Sequence, residues 1–184
     1  MSIGYLVPPE SAIIWRGPML LKAIQQLLHE VDWAASYGGL DILVLDLPPG
    51  TGDTQLSITQ QIVLDGAVIV TTPHTLAVRD AVKGVDMFSK VGVPLLGLVQ
   101  NMSVFCCPNC GSDTAVFGTS EKVKAVCEEH GMDFLGDVPL HPNIGEDASR
   151  GRPTVVAEPD SERAKVFMDV ARAVGKKIGL EIKG

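Results

Sequence analysis

Four short apolar runs, each of strand length and each closed by a turn or polar residue, constrain this chain most. Ile42 to Leu45 ends at Asp46 and a Pro/Gly cluster; Ala67 to Val70 ends in Thr71-Thr72-Pro73. Leu95 to Val99 ends in Gln100-Asn101, and Phe134 to Val138 ends at Pro139. Runs without polar alternation suit strands covered on both faces, as in parallel sheets. Parallel neighbours need a crossover, and helix-period stripes stand between the runs. Leu20, Ile24, Leu27, Leu28 and Val31 form the first stripe; Val78, Ala81, Val82, Val85 and Phe88, with Thr75 as N-cap, form the second. Val123, Val126, Cys127 and His130 form the third; Phe167, Val170, Ala171, Val174 and Ile178, capped by Asp160 or Ser161, form the fourth. Strand and helix in alternation predict an α/β fold, an open and mostly parallel sheet with helices on both faces. Ligands bind such sheets beyond the carboxyl ends of the strands, so the turns after the runs are where function is expected.

Composition narrows the classes. At 46% hydrophobic and 20% charged, the 184 residues read as a globular chain, and 5% aromatics require an aliphatic core. A formal charge of -7 gives no global basic footprint for nucleic acid. No apolar run approaches the roughly 20 residues that cross a bilayer. The opening MSIGYLVPPES has no basic segment, apolar stretch and cleavage site in series, and it is not Arg-rich. Four cysteines, three of them within residues 106–110, do not make a secreted disulfide framework. The chain reads as intracellular and reducing.

The turn DLPPGTGD, Asp46 to Asp53, follows the first run. A carboxylate delivered to a strand end can hold Mg²⁺, directly or through water. Gly50 and Gly52 let the backbone approach a phosphate, Pro48 and Pro49 stiffen the turn, and Asp53 can orient a water or meet a partner. The alternative is an ordinary acidic strand end with a Pro/Gly loop. Asn101, after the third run, can pair with a base edge through its amide or merely close a turn.

Cys107-Pro108-Asn109-Cys110 is a C-x-x-C, a spacing that lets two sulfurs converge from a tight loop. Zinc and iron–sulfur sites generally take four ligands. Cys127 lies on a helix stripe and reads as a core residue, and Cys106 points away from Cys107 if the segment is extended. Three readings stand: a redox pair, a zinc site completed by His130 or His141, and a site shared by two copies of the chain, each giving two thiolates about a two-fold axis.

Together DILVLDLPPGTGDTQLSITQ, GAVIVTTPHTLAVRDAVKGVDMF, PLLGLVQNMSVFCCPNCG, VFG and LGDVPLHPNI resemble the Mrp/ApbC family of P-loop iron–sulfur carrier proteins. GLVQNMSVF followed by the C-P-x-C is similar to the mitochondrial NUBPL-like branch, which serves respiratory complex I assembly. The resemblance runs from about Ser2 to Ile178. It implies one P-loop NTPase-like three-layer domain over 1–184 with a cluster-binding loop at 101–118. It implies that Cys107 and Cys110 bind a [4Fe-4S] cluster bridging a homodimer, for delivery to apo iron–sulfur proteins, complex I subunits among them. ATP and Mg²⁺ are implied, with Asp46 and Asp53 in catalytic roles, Gly50 in the nucleotide-responsive segment and Asn101 near the base. SIGYLVPPESAIIWRGPM, with Trp15-Arg16-Gly17, is similar to the stretch after the first switch. The implied location is the mitochondrial matrix, with the cytoplasm as alternative.

One departure from the family pattern is large. No G-x-x-x-x-G-K-[ST] occurs anywhere in the 184 residues, although that loop supplies the amides, lysine and hydroxyl that cradle phosphates and Mg²⁺. The chain is therefore expected to be N-terminally truncated relative to the family pattern, with weak or no ATPase activity of its own. Two other function classes remain beside the carrier: a cluster-free nucleotide-switch ATPase whose cysteines bind zinc, and a non-catalytic truncated form.

Overall fold

A computed structural model describes residues 2–5, 7–8, 10, 17–35, 38–107 and 109–180, with the side chains of Ile3, Gly17 and Asp53 excluded. Trp15 and Arg16 lie outside the described residues. Backbone proximity divides the chain into two units, Met1–Val63 and Leu64–Gly184.

The first unit carries a 3-10 turn at Ile3–Tyr5 and two helices, α1 (Gly17–His29) and α2 (Asp53–Gln61), which pack together. Ala23 and Ile24 of α1 and Ile58 of α2 are its buried apolar residues. The Trp33 indole N–H donates to the Leu27 carbonyl at 3.2 Å, folding the chain after α1 back onto it.

The expected strand at Ile42 to Leu45 is not formed. Residues 39–48 have no regular structure apart from a bend at Asp41, and no backbone hydrogen bond engages 40–47 among the described residues. Ile42, Leu43 and Val44 are exposed, Val44 to 83%. An apolar run becomes a strand only when a neighbour takes its N–H and C=O groups. Without that ladder, the run's composition is not enough to fix it.

In the second unit the other three runs form one parallel sheet: β1 (Ala67–Thr71), β2 (Leu95–Gln100) and, after a short hairpin described below, β5 (Phe134–Asp137). The order is β1-β2-β5, so β2 is central and buried on both faces, which explains its unbroken apolar run. Helix α3 (Thr75–Lys90) covers β1 and β2, α4 (Glu121–Glu129) covers β2, and α7 (Glu162–Lys177) covers β5 and β2. Two shorter helices, α5 (Pro142–Ser149) and α6 (Thr154–Ala157), lead into α7. Leu98, Val85, Val123 and Ala164 are fully or almost fully buried between sheet and helices. The α/β architecture expected from the pattern is the one observed.

The helix starts refine the reading. His74, not Thr75, caps α3: its Nδ1 accepts from the Leu76 N–H at 3.3 Å. Thr75 is already helical, and its hydroxyl accepts from Lys122 Nζ at 2.7 Å. Pro73 before the cap keeps the chain extended into the turn, which leaves position 74 to serve the orphan N–H groups. His141 caps α5 in the same way, accepting from Asn143 N–H at 3.2 Å. Ser161, of the two residues expected, caps α7 by accepting from Ala164 N–H at 3.1 Å.

Candidate functional site

The cysteine loop leaves the sheet at the carboxyl end of β2 and returns at the start of α4. Its first residue, Asn101, donates its N–H to Thr71 O at 2.7 Å, and its side-chain oxygen accepts from Met102 N–H at 2.9 Å. Met102 takes φ 54°, a strained value for a residue with a Cβ. The Ser103 N–H and hydroxyl both donate to the Val138 carbonyl, at 3.0 and 3.1 Å.

Beyond this anchor the loop makes a small hairpin. β3 (Phe105–Cys106) pairs antiparallel with β4 (Asp113–Thr114), so Cys106 stands opposite Asp113. The Cys107 N–H donates to Ser112 O at 3.0 Å, and the Gly111 N–H returns to Cys107 O at 2.8 Å. These bonds close a turn between Cys107 and Ser112 that carries both cysteines of the C-x-x-C. Cys110 is exposed and Cys107 half-buried.

Cys110, Cys106 and Cys127 differ in their surroundings. The Ser112 hydroxyl lies 3.0 Å from Cys110 Sγ, and with the Ser112 backbone and the Cys107 thiol it holds the Cys110 thiol below its ordinary range. A hydrogen bond to the Asp113 carboxylate, with that group's charge, holds the exposed Cys106 thiol above it. Cys127, on α4, is buried, and burial pushes its thiol up. Since the thiolate is the nucleophile, limiting iodoacetamide at neutral pH is expected to label Cys110 several-fold faster than Cys106, with Cys127 protected. Peptide mass mapping against time checks this; Cys106 reacting first would contradict the assignment.

The loop offers two thiols to a metal. Among the described residues no group of three or more His, Cys, Asp or Glu side chains is placed to hold one ion. A zinc site completed within the chain by His130 or His141 therefore finds no support, whereas two thiolates per chain are half of a four-thiolate set.

In the first unit, Asp46 is exposed on the irregular segment, and Gly50 takes φ 99°, which a side chain would resist. Asp53 is the first residue of α2, whose N-cap Gly52 supplies no side-chain cap. The buried Gln55 organises this turn, its amide donating to the Pro48 carbonyl at 2.7 Å and the Gly50 carbonyl at 2.9 Å. In the second unit, Asn101 begins the loop that carries Cys107 and Cys110.

Sequence reasoning missed Gln55 and Gln100. Gln100 is 1% exposed at the end of β2, and its Nε2 donates to Ser120 Oγ at 2.9 Å and Asp137 Oδ1 at 3.0 Å. The one available signal was an amide continuing an otherwise apolar buried run.

Residues 1–175 match the family described as NUBPL iron-transfer P-loop NTPase. The chain belongs to this family. A Dictyostelium discoideum relative, "Iron-sulfur cluster transfer protein NUBPL", is 49% identical over 97% of the chain and 54% of its own length. An Arabidopsis thaliana relative, "Iron-sulfur protein required for NADH dehydrogenase, mitochondrial", is 46% identical over 96% of the chain and 55% of its own length. Among solved structures, a nucleotide-binding protein from Archaeoglobus fulgidus in complex with ADP superposes with a TM-score of 0.67 at 32% identity. That match covers 89% of this chain and 59% of the archaeal one. The chain thus spans about half the length of the curated NUBPL-family relatives it matches. Its fold is that of the P-loop NTPases, and among the described residues no helix is long and apolar enough to cross a membrane.

Proposed function

We propose that this chain acts as an iron–sulfur cluster carrier. Two copies hold a [4Fe-4S] cluster between them through Cys107 and Cys110 of each, and pass it to apo iron–sulfur proteins. The observation that carries the reading is the turn closed between Cys107 and Gly111, which carries both thiols of the C-x-x-C, while among the described residues no group of three or more His, Cys, Asp or Glu is placed to hold one ion. Half a ligand set on a surface loop fits a cargo that must leave again, because each chain gives up only two bonds on release. The lowered Cys110 thiol suits the deprotonated form in which a cysteine binds iron.

The names of the relatives support cluster transfer, and the Arabidopsis name, which couples that protein to NADH dehydrogenase and to the mitochondrion, supports the mitochondrion as the location; complex I subunits as recipients and the matrix as the compartment are our reading. By the family pattern, Asp46 in the first unit serves Mg²⁺ and Gly50 and Asp53 belong to the segment that responds to nucleotide; in the second unit, taken by itself, Asn101 serves the base. No G-x-x-x-x-G-K-[ST] loop occurs among these 184 residues, and the cargo loop lies wholly within them.

Anaerobic incubation of the full chain with iron, sulfide and a thiol reductant tests the proposal. The expected product is a brown dimer with about four iron per two chains, since a [4Fe-4S] cluster takes four thiolates. A colourless monomer, or a product holding zinc alone, would overturn it.

A further inference from the structure

Residues 101–119 form one excursion from the sheet, and the two residues that bracket it are bonded to each other: Gln100 Nε2 donates to Ser120 Oγ at 2.9 Å. The other hydrogen of the same amide nitrogen reaches Asp137 Oδ1 at 3.0 Å, at the end of β5. One side chain therefore joins the exit of the loop from β2, its re-entry into α4 and the neighbouring strand end. Two more contacts close the base. Ser103 donates twice to the Val138 carbonyl just beyond β5. On the returning limb, a Cβ at Gly118 would stand 3.4 Å from the Pro73 carbonyl, so that limb lies close against the turn after β1.

We infer that Gln100 is a positioning residue that clamps the base of the cysteine loop and so sets the pose in which Cys107 and Cys110 are presented. The amide itself argues for this role over a stabilising one. Gln100 Oε1 is buried and has no hydrogen-bond partner among the described residues. A buried oxygen without a partner is unfavourable, and an apolar side chain of similar size would avoid it. Asp137 is exposed and can be solvated without Gln100. What a leucine there would lose is the tie between the two ends of the loop. The use of the clamp for cargo rests on the carrier reading above; the clamp itself does not.

The experiment is hydrogen exchange on the full chain, comparing Gln100→Leu, Ser120→Ala, Ser120→Thr and the Gln100→Leu/Ser120→Ala double variant with the parent. Gln100→Leu and Ser120→Ala are expected to speed exchange at the loop amides of Ser103, Val116 and Gly118 roughly fivefold, the shift that losing one net hydrogen bond gives. The sheet amides of Ala67 and Leu98 should be unchanged. Ser120→Thr, which keeps the hydroxyl, should restore the parent rates, and the double variant should add nothing to Gln100→Leu. Unchanged loop exchange, or loop and sheet amides rising together as for an ordinary core residue, would overturn the inference. On cluster-loaded protein, Gln100→Leu and Ser120→Ala should release iron to a chelator faster by a similar factor, with Ser120→Thr as the parent; unaltered release would refute the link to presentation. If the parent chain takes up no cluster, the carrier reading fails, and the exchange data still decide the clamp.

Discussion

Cys107→Ala is expected to remove cluster loading altogether, not to weaken it. With one thiol left in each loop, two chains bring two of the four thiolates a [4Fe-4S] cluster needs. Replacement ligands are scarce, because among the described residues no other His, Cys, Asp or Glu grouping converges on the turn. Cys106 is the nearest substitute by sequence and a poor one. It stands across the hairpin from Asp113, whose carboxylate holds its thiol above the ordinary range, and its Sγ lies 3.6 Å from the Gly111 carbonyl. Iron and sulfide analysis after anaerobic reconstitution should therefore show background metal for Cys107→Ala and Cys110→Ala, and parent values for Cys106→Ser. Light scattering should find that cluster-dependent dimers of the parent are missing from the first two variants. Retention of full loading by Cys107→Ala would sink the ligand assignment and with it the carrier function.

How far the sequence foretold this molecule depends on whether the signal was local. Ala67 to Val70 and Leu95 to Val99 became strands because each finds parallel neighbours, and the buried run is then the lowest-energy use of those residues. Ile42 to Leu45 carries the same signal and fails, since no described segment bonds to it. Composition reports what a segment can bury, while pairing decides whether it does. The C-x-x-C was legible because its chemistry sits in two residues at fixed spacing. The Gln100 clamp was not, since it joins positions far apart in sequence and becomes visible only when β2, β5 and α4 are side by side. His74 escaped notice for a different reason: helix caps are expected from Ser, Thr, Asp and Asn, and an imidazole nitrogen can accept the same bond.

Gly97→Ala should cause a large loss of stability in the second unit. The pairing of β2 slips at this point: Ala67 stands opposite Leu95 and Val68 opposite Gly97, so Leu96 is an extra residue and the backbone turns through φ 146° at Gly97. A side chain there meets two separate penalties. The conformation is nearly closed to residues with a Cβ, at a cost of about 1–3 kcal/mol. The added carbon would also lie 2.6 Å from the Asp133 carbonyl oxygen and 2.6 Å from Leu135 Cγ, both on the approach to β5 and along it. Relieving that overlap costs about 1–3 kcal/mol more, because one of the two atoms is backbone and cannot swing away. The sum, about 2–6 kcal/mol, is a large part of the roughly 5–15 kcal/mol that holds a domain together. Gly92→Ala separates the two penalties. Gly92 has φ 73° just past α3, yet a Cβ there meets nothing within 4 Å, so only the conformational cost of about 1–2 kcal/mol applies. Urea unfolding of the three proteins, followed through β2 and β5, should rank parent, Gly92→Ala and Gly97→Ala in that order. Because β2 and β5 end at Gln100 and Asp137, spreading them should also loosen the loop base, and Cys110 in Gly97→Ala should alkylate with broadened, heterogeneous kinetics. A Gly97→Ala protein no less stable than Gly92→Ala would mean that the β2–β5 seam yields without cost, and that the sheet edge is too soft to fix the pose of the cysteine loop.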